Sequence, residues 1–221
     1  MKLQLSDLKI IILVFALMVG FAVKGTRAQA ADTQILTVAG GCFWCVEADF
    51  ERVAGVLEVI SGYTGGTTEN PTYREVTRGG TGHYEAVQII FDPDRISRAS
   101  LVSMFLRSVD PTDAGGQFCD RGDAYRTAIF VDGPAEKALA EKAVATAQAE
   151  LGQQIVTPVL PEAPFYIAED YHQDYYKGEN RVITRFGVIT QAEAYKRYRD
   201  GCGRDQRVRQ LWGDQAPFVG G

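Results

Sequence analysis

Gln34-Ile35-Leu36-Thr37-Val38-Ala39-Gly40-Gly41-Cys42-Phe43-Trp44-Cys45-Val46-Glu47 compresses a strand, a turn and a helix start into one short stretch. The apolar run Gln34 to Ala39 reads as a strand that ends at a glycine pair. From Cys42 to Val53 the residues Phe43, Val46, Glu47, Phe50 and Val53 recur at helical spacing, which predicts a helix. Cys42 would then be its first residue. Backbone N–H groups at a helix start are unpaired and carry partial positive charge, so that position predicts a lowered thiol pKa. Cys45 lies one turn further in, within reach of Cys42 for a C-x-x-C disulfide.

Outward from this stretch the pattern is mixed. Val56 to Tyr63 reads as a strand closed by Thr64-Gly65-Gly66-Thr67, Asn70 to Val76 as a turn into a short helix, and His83 to Phe91 as a strand ended by Asp92-Pro93. Ser100 to Val109 is helical, and a glycine-rich loop, Asp110 to Asp123, leads to a strand over Tyr125 to Val131. Pro134 opens an alanine-rich helix that runs to Leu151. Strands are expected at Ile155 to Val159 and Phe165 to Ala168, and helices at Glu169 to Lys177 and Gln191 to Arg199. The strands at 56–63 and 83–91 have no full crossover between them. That favours α+β over a doubly wound parallel sheet: one domain over 31–221, a mixed-sheet sandwich with a ferredoxin-like core, long loops and a C-terminal tail at 200–221.

The remainder of the chain constrains the chemistry. Lys2 and Lys9 precede an almost unbroken apolar run from Ile10 to Val23, and Ala28-Gln29-Ala30 supplies a small-residue cleavage site. Residues 1–30 therefore read as a secretory signal peptide cleaved after Ala30, with an uncleaved N-terminal membrane anchor as the alternative. Lys2, Lys9, Lys24 and Arg27 against Asp7 give this segment +3; taking it from the net −5 of the whole chain leaves −8. Such a charge argues against nucleic acid or an anionic membrane as partner. Export predicts a periplasmic or otherwise oxidising location, where disulfides persist. Cys42, Cys45, Cys119 and Cys202 allow two bridges, although a chain of this length has no need of stapling. Zinc would need four ligands, and Cys119 and Cys202 stand alone rather than as a second C-x-x-C, so no metal is expected. A thioredoxin-like dithiol fits the Cys42/Cys45 spacing and stays open as a disulfide-handling alternative. Trp44, beside Cys42, suits the wall of an apolar pocket over a thiol. His83 and His172, the two histidines, are expected to make structural hydrogen bonds.

The segment GGCFWCVEADFERVAGV resembles the nucleophile motif of the peptide-methionine (S)-S-oxide reductases, the A-type methionine sulfoxide reductases. The similarity continues through GYTGG (62–66), NPTYREV (70–76), TGHYEAVQIIFDP (81–93), YRTAIF (125–130) and APFYIAEDYHQDY (163–175). The resemblance implies Cys42 as nucleophile and Phe43 with Trp44 as the wall that receives the substrate methyl. It implies Glu85 as the acid that protonates the sulfoxide oxygen, Tyr73 and Tyr125 as the hydroxyls that hold that oxygen, and Asp120 as an acidic support from the preceding loop. Chemistry agrees with the implication: a sulfoxide is a poor electrophile until its oxygen is protonated, so a thiol must face acidic donors. Glu85 should accordingly be buried and protonated. Cys42 would become a sulfenic acid, and a second thiol would condense with it.

Many members of that family have glycine where this chain has Cys45, and resolve through C-terminal cysteines. By that resemblance Cys202, in the glycine-flanked Asp200-Gly201-Cys202-Gly203-Arg204, is the expected first resolving thiol and Cys45 the second. Cys119 is expected to be an inert, partly buried thiol. The Arg-rich segment after Cys202 is expected to dock on the body of the protein. The resemblance further implies reduction of the S epimer of protein-bound and free methionine sulfoxide in oxidised proteins and peptides. It implies no prosthetic cofactor and an external thiol reductant such as a thioredoxin-like protein. A monomer is the default.

Overall fold

The computed structural model describes residues 32–220, so the expected signal peptide and its cleavage point lie outside the described residues. The elements are β1 (Gln34–Gly40), α1 (Phe43–Phe50), β2 (Val56–Thr64), α2 (Tyr73–Arg78), β3 (Tyr84–Phe91) and α3 (Arg98–Leu106). They continue as β4 (Gly116–Gln117), β5 (Asp120–Arg121), β6 (Thr127–Val131), α4 (Gly133–Leu151), β7 (Val159–Pro161) and β8 (Tyr166–Ile167). The chain closes with β9 (Arg181–Thr184), β10 (Gly187–Thr190), α5 (Gln191–Gly201) and α6 (Arg204–Trp212).

Six strands form one sheet in the order β7-β6-β1-β3-β2-β8. Its four central strands pair antiparallel throughout, β6 with β1, β1 with β3 and β3 with β2. With α1 and α3 as the two crossovers, this is the βαββαβ arrangement of the ferredoxin-like fold. β7 adds in parallel to β6 after α4, and β8 closes the other edge against β2.

The two faces of the sheet are filled differently. On one face Leu36, Val38, Val87, Ile89 and Ile129 meet Val46 and Phe50 of α1 and Leu101 and Phe105 of α3 in the main core. On the other, small Ala39, Ala86 and Ala128 lie under Tyr84 and Phe130, with Leu160 of β7 and the loop residue Phe165 packed against them. Period-two alternation along β3 therefore sends Glu85 to the same side as Val87, Ile89 and Phe91. Its register makes it the one carboxylate of a row that is otherwise core.

Several expectations need correction. α1 stops at Phe50, short of Val53, and Cys42 is its N-cap, with φ −53° and ψ 118°, rather than its first helical residue. The strand expected at Ile155 to Val159 is confined to Val159–Pro161, since Pro158 has no N–H to give a ladder and the Val156 N–H bonds the Pro111 carbonyl instead. Glu169 to Lys177 forms two short 3₁₀ turns, Asp170–His172 and Tyr175–Lys177, not a helix. Between them the Gln173 amide bonds the backbone of Ser61 and Ala168, and Asp174 takes a left-handed φ of 55°. The C-terminal tail is a helix: Arg204–Trp212 buries Arg204, Val208 and Trp212, which bears out its expected docking. The β9–β10 hairpin stands where the sequence reading assigns no element.

Candidate active site

Strand register assembles the site. Gly40, the last residue of β1, pairs with Thr127 at the start of β6, and Glu85 lies at the start of β3 on the neighbouring side of β1. Tyr63 of β2 pairs with Glu85, and Tyr125 precedes β6 by one residue. The end of β1, and with it Cys42, is thus bracketed by Glu85 and Tyr125. The turn that delivers Cys42 depends on Gly41, at φ +81°, where a Cβ would fall 2.5 Å from the Gln117 Cβ. Gln117 cannot give way: it is fully buried, and its amide bonds the backbone of Asp110 and Gly116.

Glu85 is 1% exposed. One oxygen, Oε2, accepts the Phe43 N–H at 3.1 Å, so the unpaired donor of the helix start is spent on the carboxyl. The other, Oε1, is buried without a hydrogen-bond partner. Burial is the main cause that lifts the Glu85 pKa to about 8, with the Phe43 N–H pulling the other way and Asp120 adding to the rise. Glu85 is therefore a carboxylic acid at neutral pH. Tyr73 and Tyr125 are raised by burial first and by Glu85 second, so both remain proton donors. Tyr73 is fixed from behind: its N–H bonds Glu169, which also accepts the Tyr63 hydroxyl, and a Thr72/Glu75 capping box holds its helix start.

Cys42 and Cys45 are both free thiols and both buried. The expected lowering of the Cys42 pKa is not found. Burial raises it, followed by its hydrogen bond to Cys45 and by the charges of Cys45, Glu85 and Asp120. Cys45 is lowered instead, first by the hydrogen bond from Cys42 and then by Arg204 and Arg199. Cys42 thus lies on the side of the acids, while Cys45 faces the arginines. The two guanidiniums reach this place from the C-terminal helices. Arg199 bonds Asp49 at 2.7 Å, and Arg204, 2% exposed, donates to the carbonyls of Gly40 and Ser108.

Phe43 and Trp44 lie in an aromatic cluster. Phe43 stands 5.1 Å from His172 and 6.3 Å from Tyr73 between ring centres, and Trp44 stacks on Tyr175 at 3.8 Å. His172 has neither of the structural hydrogen bonds expected of it: both ring nitrogens are buried and unpartnered. Burial lowers its pKa to about 4, so it is a neutral ring of the cluster. His83 does make structural bonds, accepting the Gly66 N–H at Nδ1 and lying 2.7 Å from the Thr68 carbonyl at Nε2. That pattern assigns its proton to Nε2.

Asp120 sits on the loop strand β5, its pKa raised by burial, and accepts the Tyr198 hydroxyl from α5. The residue before it, Cys119, forms a disulfide with Cys202, at the C-cap of α5. The expectation for Cys119 does not fit, since it is exposed and bonded rather than a partly buried free thiol; Cys202, at the end of α5, is its partner. Cys45 is the thiol placed beside Cys42. Sequence reasoning also missed Tyr175, Tyr198, Arg199 and the buried Asp49. The surroundings of the first three, YYKGEN and YKRYRDG, read as solvated surface, Asp49 lies on the helix that follows Cys42, and no local pattern distinguishes the inward-facing members.

A neutral buried acid, two phenols and an adjacent thiol pair beside an aromatic cluster are the groups of a thiol oxidoreductase. The family described as peptide methionine sulfoxide reductase matches residues 34–212. A peptide methionine sulfoxide reductase of Rhizobium meliloti is 52% identical over 191 residues, covering 86% of this chain and 88% of that one. One from Caulobacter vibrioides is 45% identical over 206 residues, covering 93% and 98%. Among solved structures, methionine sulfoxide reductase A of Corynebacterium diphtheriae superposes with a TM-score of 0.60 at 30% identity, over 73% of this chain and 85% of that one. The reduced form of Mxr1 from Saccharomyces cerevisiae does so with 0.65 at 27% identity, over 76% and 97%.

The chain belongs to the peptide methionine sulfoxide reductase family. It is an oxidoreductase that reduces methionine sulfoxide at the expense of thiols, not a thioredoxin-like exchange protein.

Proposed function

We propose that this enzyme reduces the S epimer of methionine sulfoxide in oxidised proteins and peptides, with Cys42 as nucleophile and Glu85 as general acid. The observation that carries the reading is Glu85 Oε1, a buried and unpartnered oxygen on a carboxyl whose pKa is about 8. A protonated carboxyl in that position has a proton to give beside the Tyr125 hydroxyl, where a substrate oxygen can receive it. The sulfoxide oxygen receives it, helped by the Tyr73 and Tyr125 hydroxyls. Phe43 and Trp44 receive the S-methyl group, and Asp120 supports the acids from its loop.

The sulfur of Cys42 takes the oxygen as the substrate S–O bond breaks. The substrate sulfur gains two electrons and leaves as a thioether; Cys42 loses two and becomes a sulfenic acid. The Cys42 thiol proton replaces the one Glu85 gave, so the acid is restored. Cys45 then attacks the Cys42 sulfur, a disulfide closes and one water leaves. The place of the free Cys45 one helical turn from Cys42, with Cys202 bridged to Cys119, favours Cys45 over Cys202 as first resolving thiol, the reverse of the order implied by the resemblance. An external dithiol, a thioredoxin-like protein, returns the pair to thiols. The leader read at 1–30 makes the periplasm or another exported location the place of action, with the monomer as the working unit.

The test is a peptide that carries both sulfoxide epimers, incubated with the mature protein and dithiothreitol and resolved by chromatography. The S epimer should disappear and the R epimer persist; consumption of both, or of R alone, contradicts the proposed stereochemistry.

A further inference from the structure

A cavity of about 440 Å³ opens beside the catalytic pocket and is more apolar than polar in its lining. Its walls are Trp44 and Tyr175, Tyr198 of α5, the Cys119–Cys202 bridge, and Phe186 at the turn of the β9–β10 hairpin. Trp44 belongs to both spaces: it is next in sequence but one to Cys42, and its ring is also a wall of this cavity. Three of the cavity's walls, Trp44, Tyr175 and Tyr198, pack against the cluster that holds Cys42.

The hairpin that closes the cavity is not built for the protein's own core. β9 and β10 pair only with each other. Ile183 and Val188 face each other across the strands, 90% and 52% exposed, and Phe186 at the tip is 45% exposed. A two-stranded ribbon gains little stability by itself, and an apolar pair on its open face is what an interaction surface carries. Phe186 is nonetheless held in place, with the Arg185 and Arg197 guanidiniums 4.7 Å and 5.0 Å from its ring centre.

We infer that this cavity is a subsite for the peptide itself: it takes an apolar side chain that flanks the methionine sulfoxide in an extended segment, with Phe186 as the residue that sets the preference. The occupant follows from the shared walls at Trp44, Tyr175 and Tyr198. A chain whose oxidised methionine lies at Cys42 and runs past Trp44 meets this cavity. The volume admits one large side chain with its backbone, and the apolar face of Ile183 and Val188 extends the same surface outward. The inference rests on the reading of the Cys42 pocket as the catalytic centre, and it gives the enzyme a preference for sulfoxides in exposed apolar segments of unfolded protein.

The experiment compares three kinds of substrate: N-acetyl-methionine sulfoxide amide, a pentapeptide with glycine on both sides of the oxidised residue, and two pentapeptides with phenylalanine on one side or the other. Steady-state rates with dithiothreitol are paired with single turnovers without it, in which the Cys119–Cys202 bridge is intact. For the wild type, phenylalanine on one of the two sides should lower KM about tenfold relative to glycine, the size of one good apolar contact in a pocket. Phe186→Ala should erase that advantage while the kcat/KM for the acetylated amino acid stays within about twofold of wild type. Ala194→Trp, which fills the cavity from α5, should erase it by a different route. Equal KM values for all flanks in the wild type overturn the subsite, as does a Phe186→Ala loss that is the same for all three kinds of substrate. Failure of the wild type on every substrate would instead strike the catalytic reading of Cys42.

Discussion

Glu85 and Glu47 are buried to the same depth, each 1% exposed, and burial lifts both pKa values to about 8. Their surroundings differ. Glu47 has both oxygens occupied: Oε1 accepts the Asp174 N–H at 3.0 Å and Oε2 the Ser61 hydroxyl at 3.2 Å. It ties α1 to β2 and to the turns after β8. Glu85 has one oxygen held by the Phe43 N–H and the other with no partner. A raised pKa alone therefore does not mark a catalytic acid. The neighbourhood of Cys42, Tyr73 and Tyr125 separates the proposed catalytic carboxyl from the structural one.

The largest effect that can break this comparison is on turnover. Glu85→Gln should lower kcat for sulfoxide reduction on the order of 10²–10⁴-fold, the usual worth of a positioned general acid. Glu47→Gln keeps one acceptor for the Asp174 N–H and should leave kcat within a few fold. Comparable losses in the two variants, measured with dithiothreitol as reductant, would dissolve the distinction.

The two cysteine pairs give the next test. Cys45→Ser should stop turnover with a thioredoxin-like reductant and leave a Cys42 sulfenic acid that dimedone labels in mass spectra. The double variant Cys119→Ser/Cys202→Ser should still close the Cys42–Cys45 bridge in one turnover. A Cys42–Cys202 bridge in the wild type after one turnover would restore the C-terminal cysteine as first resolving thiol.

Gly41→Ala probes the turn behind Cys42. The left-handed φ and the fixed Gln117 leave no room for a Cβ, so a loss of about 1–3 kcal/mol in stability from backbone strain alone is expected, seen as a lower midpoint in urea. A midpoint equal to wild type would contradict the account of the turn.

The pH dependences are smaller and sharpen the same contrast. Wild-type kcat should fall as pH rises through about 8, where Glu85 loses its proton. Glu85→Gln should flatten that limb and Glu47→Gln should not. Stability behaves differently, because both glutamates contribute. Each folded pKa lies above the ordinary 4.5. The folded state therefore holds these protons more tightly than the unfolded chain. Their stabilisation is complete below about pH 4.5 and is lost as pH rises through about 8, at no more than about 1.4 kcal/mol per pH unit for each group. Either substitution should remove part of that slope, as read from denaturation midpoints between pH 5 and pH 9.

Most of the central fold was legible because its signals are local. Gln34 to Ala39, Val56 to Tyr63, His83 to Phe91 and Tyr125 to Val131 carry apolar runs or alternation bounded by glycine and proline, and each is a strand within a residue or two. The lack of a crossover between the second and third strands pointed to the antiparallel centre. Glu169 to Lys177 was not legible, since long-range bonds of Gln173 override its helical composition. For the site, Glu85, Tyr73, Tyr125 and Asp120 could be named only through motif resemblance; as single residues they read as edge charge or packing. The Cys119–Cys202 bridge joins residues 83 apart in sequence, and no local pattern carries such a pairing. The direction of the Cys42 pKa was misread for a related reason: the helix start is local, whereas the burial and acids that outweigh it come from β3, β5 and the C-terminal helices.

The most direct measurement of the central claim is the infrared difference spectrum of wild type against Glu85→Gln at pH 7, with Glu47→Gln recorded alongside. A protonated-carboxyl C=O band that Glu85→Gln removes, and that shifts when a sulfoxide is bound to a Cys42→Ser variant, is the predicted result. The band removed by Glu47→Gln should be indifferent to the sulfoxide. Carboxylate bands alone at the Glu85 position would contradict the account, because an ionised Glu85 has no proton to give.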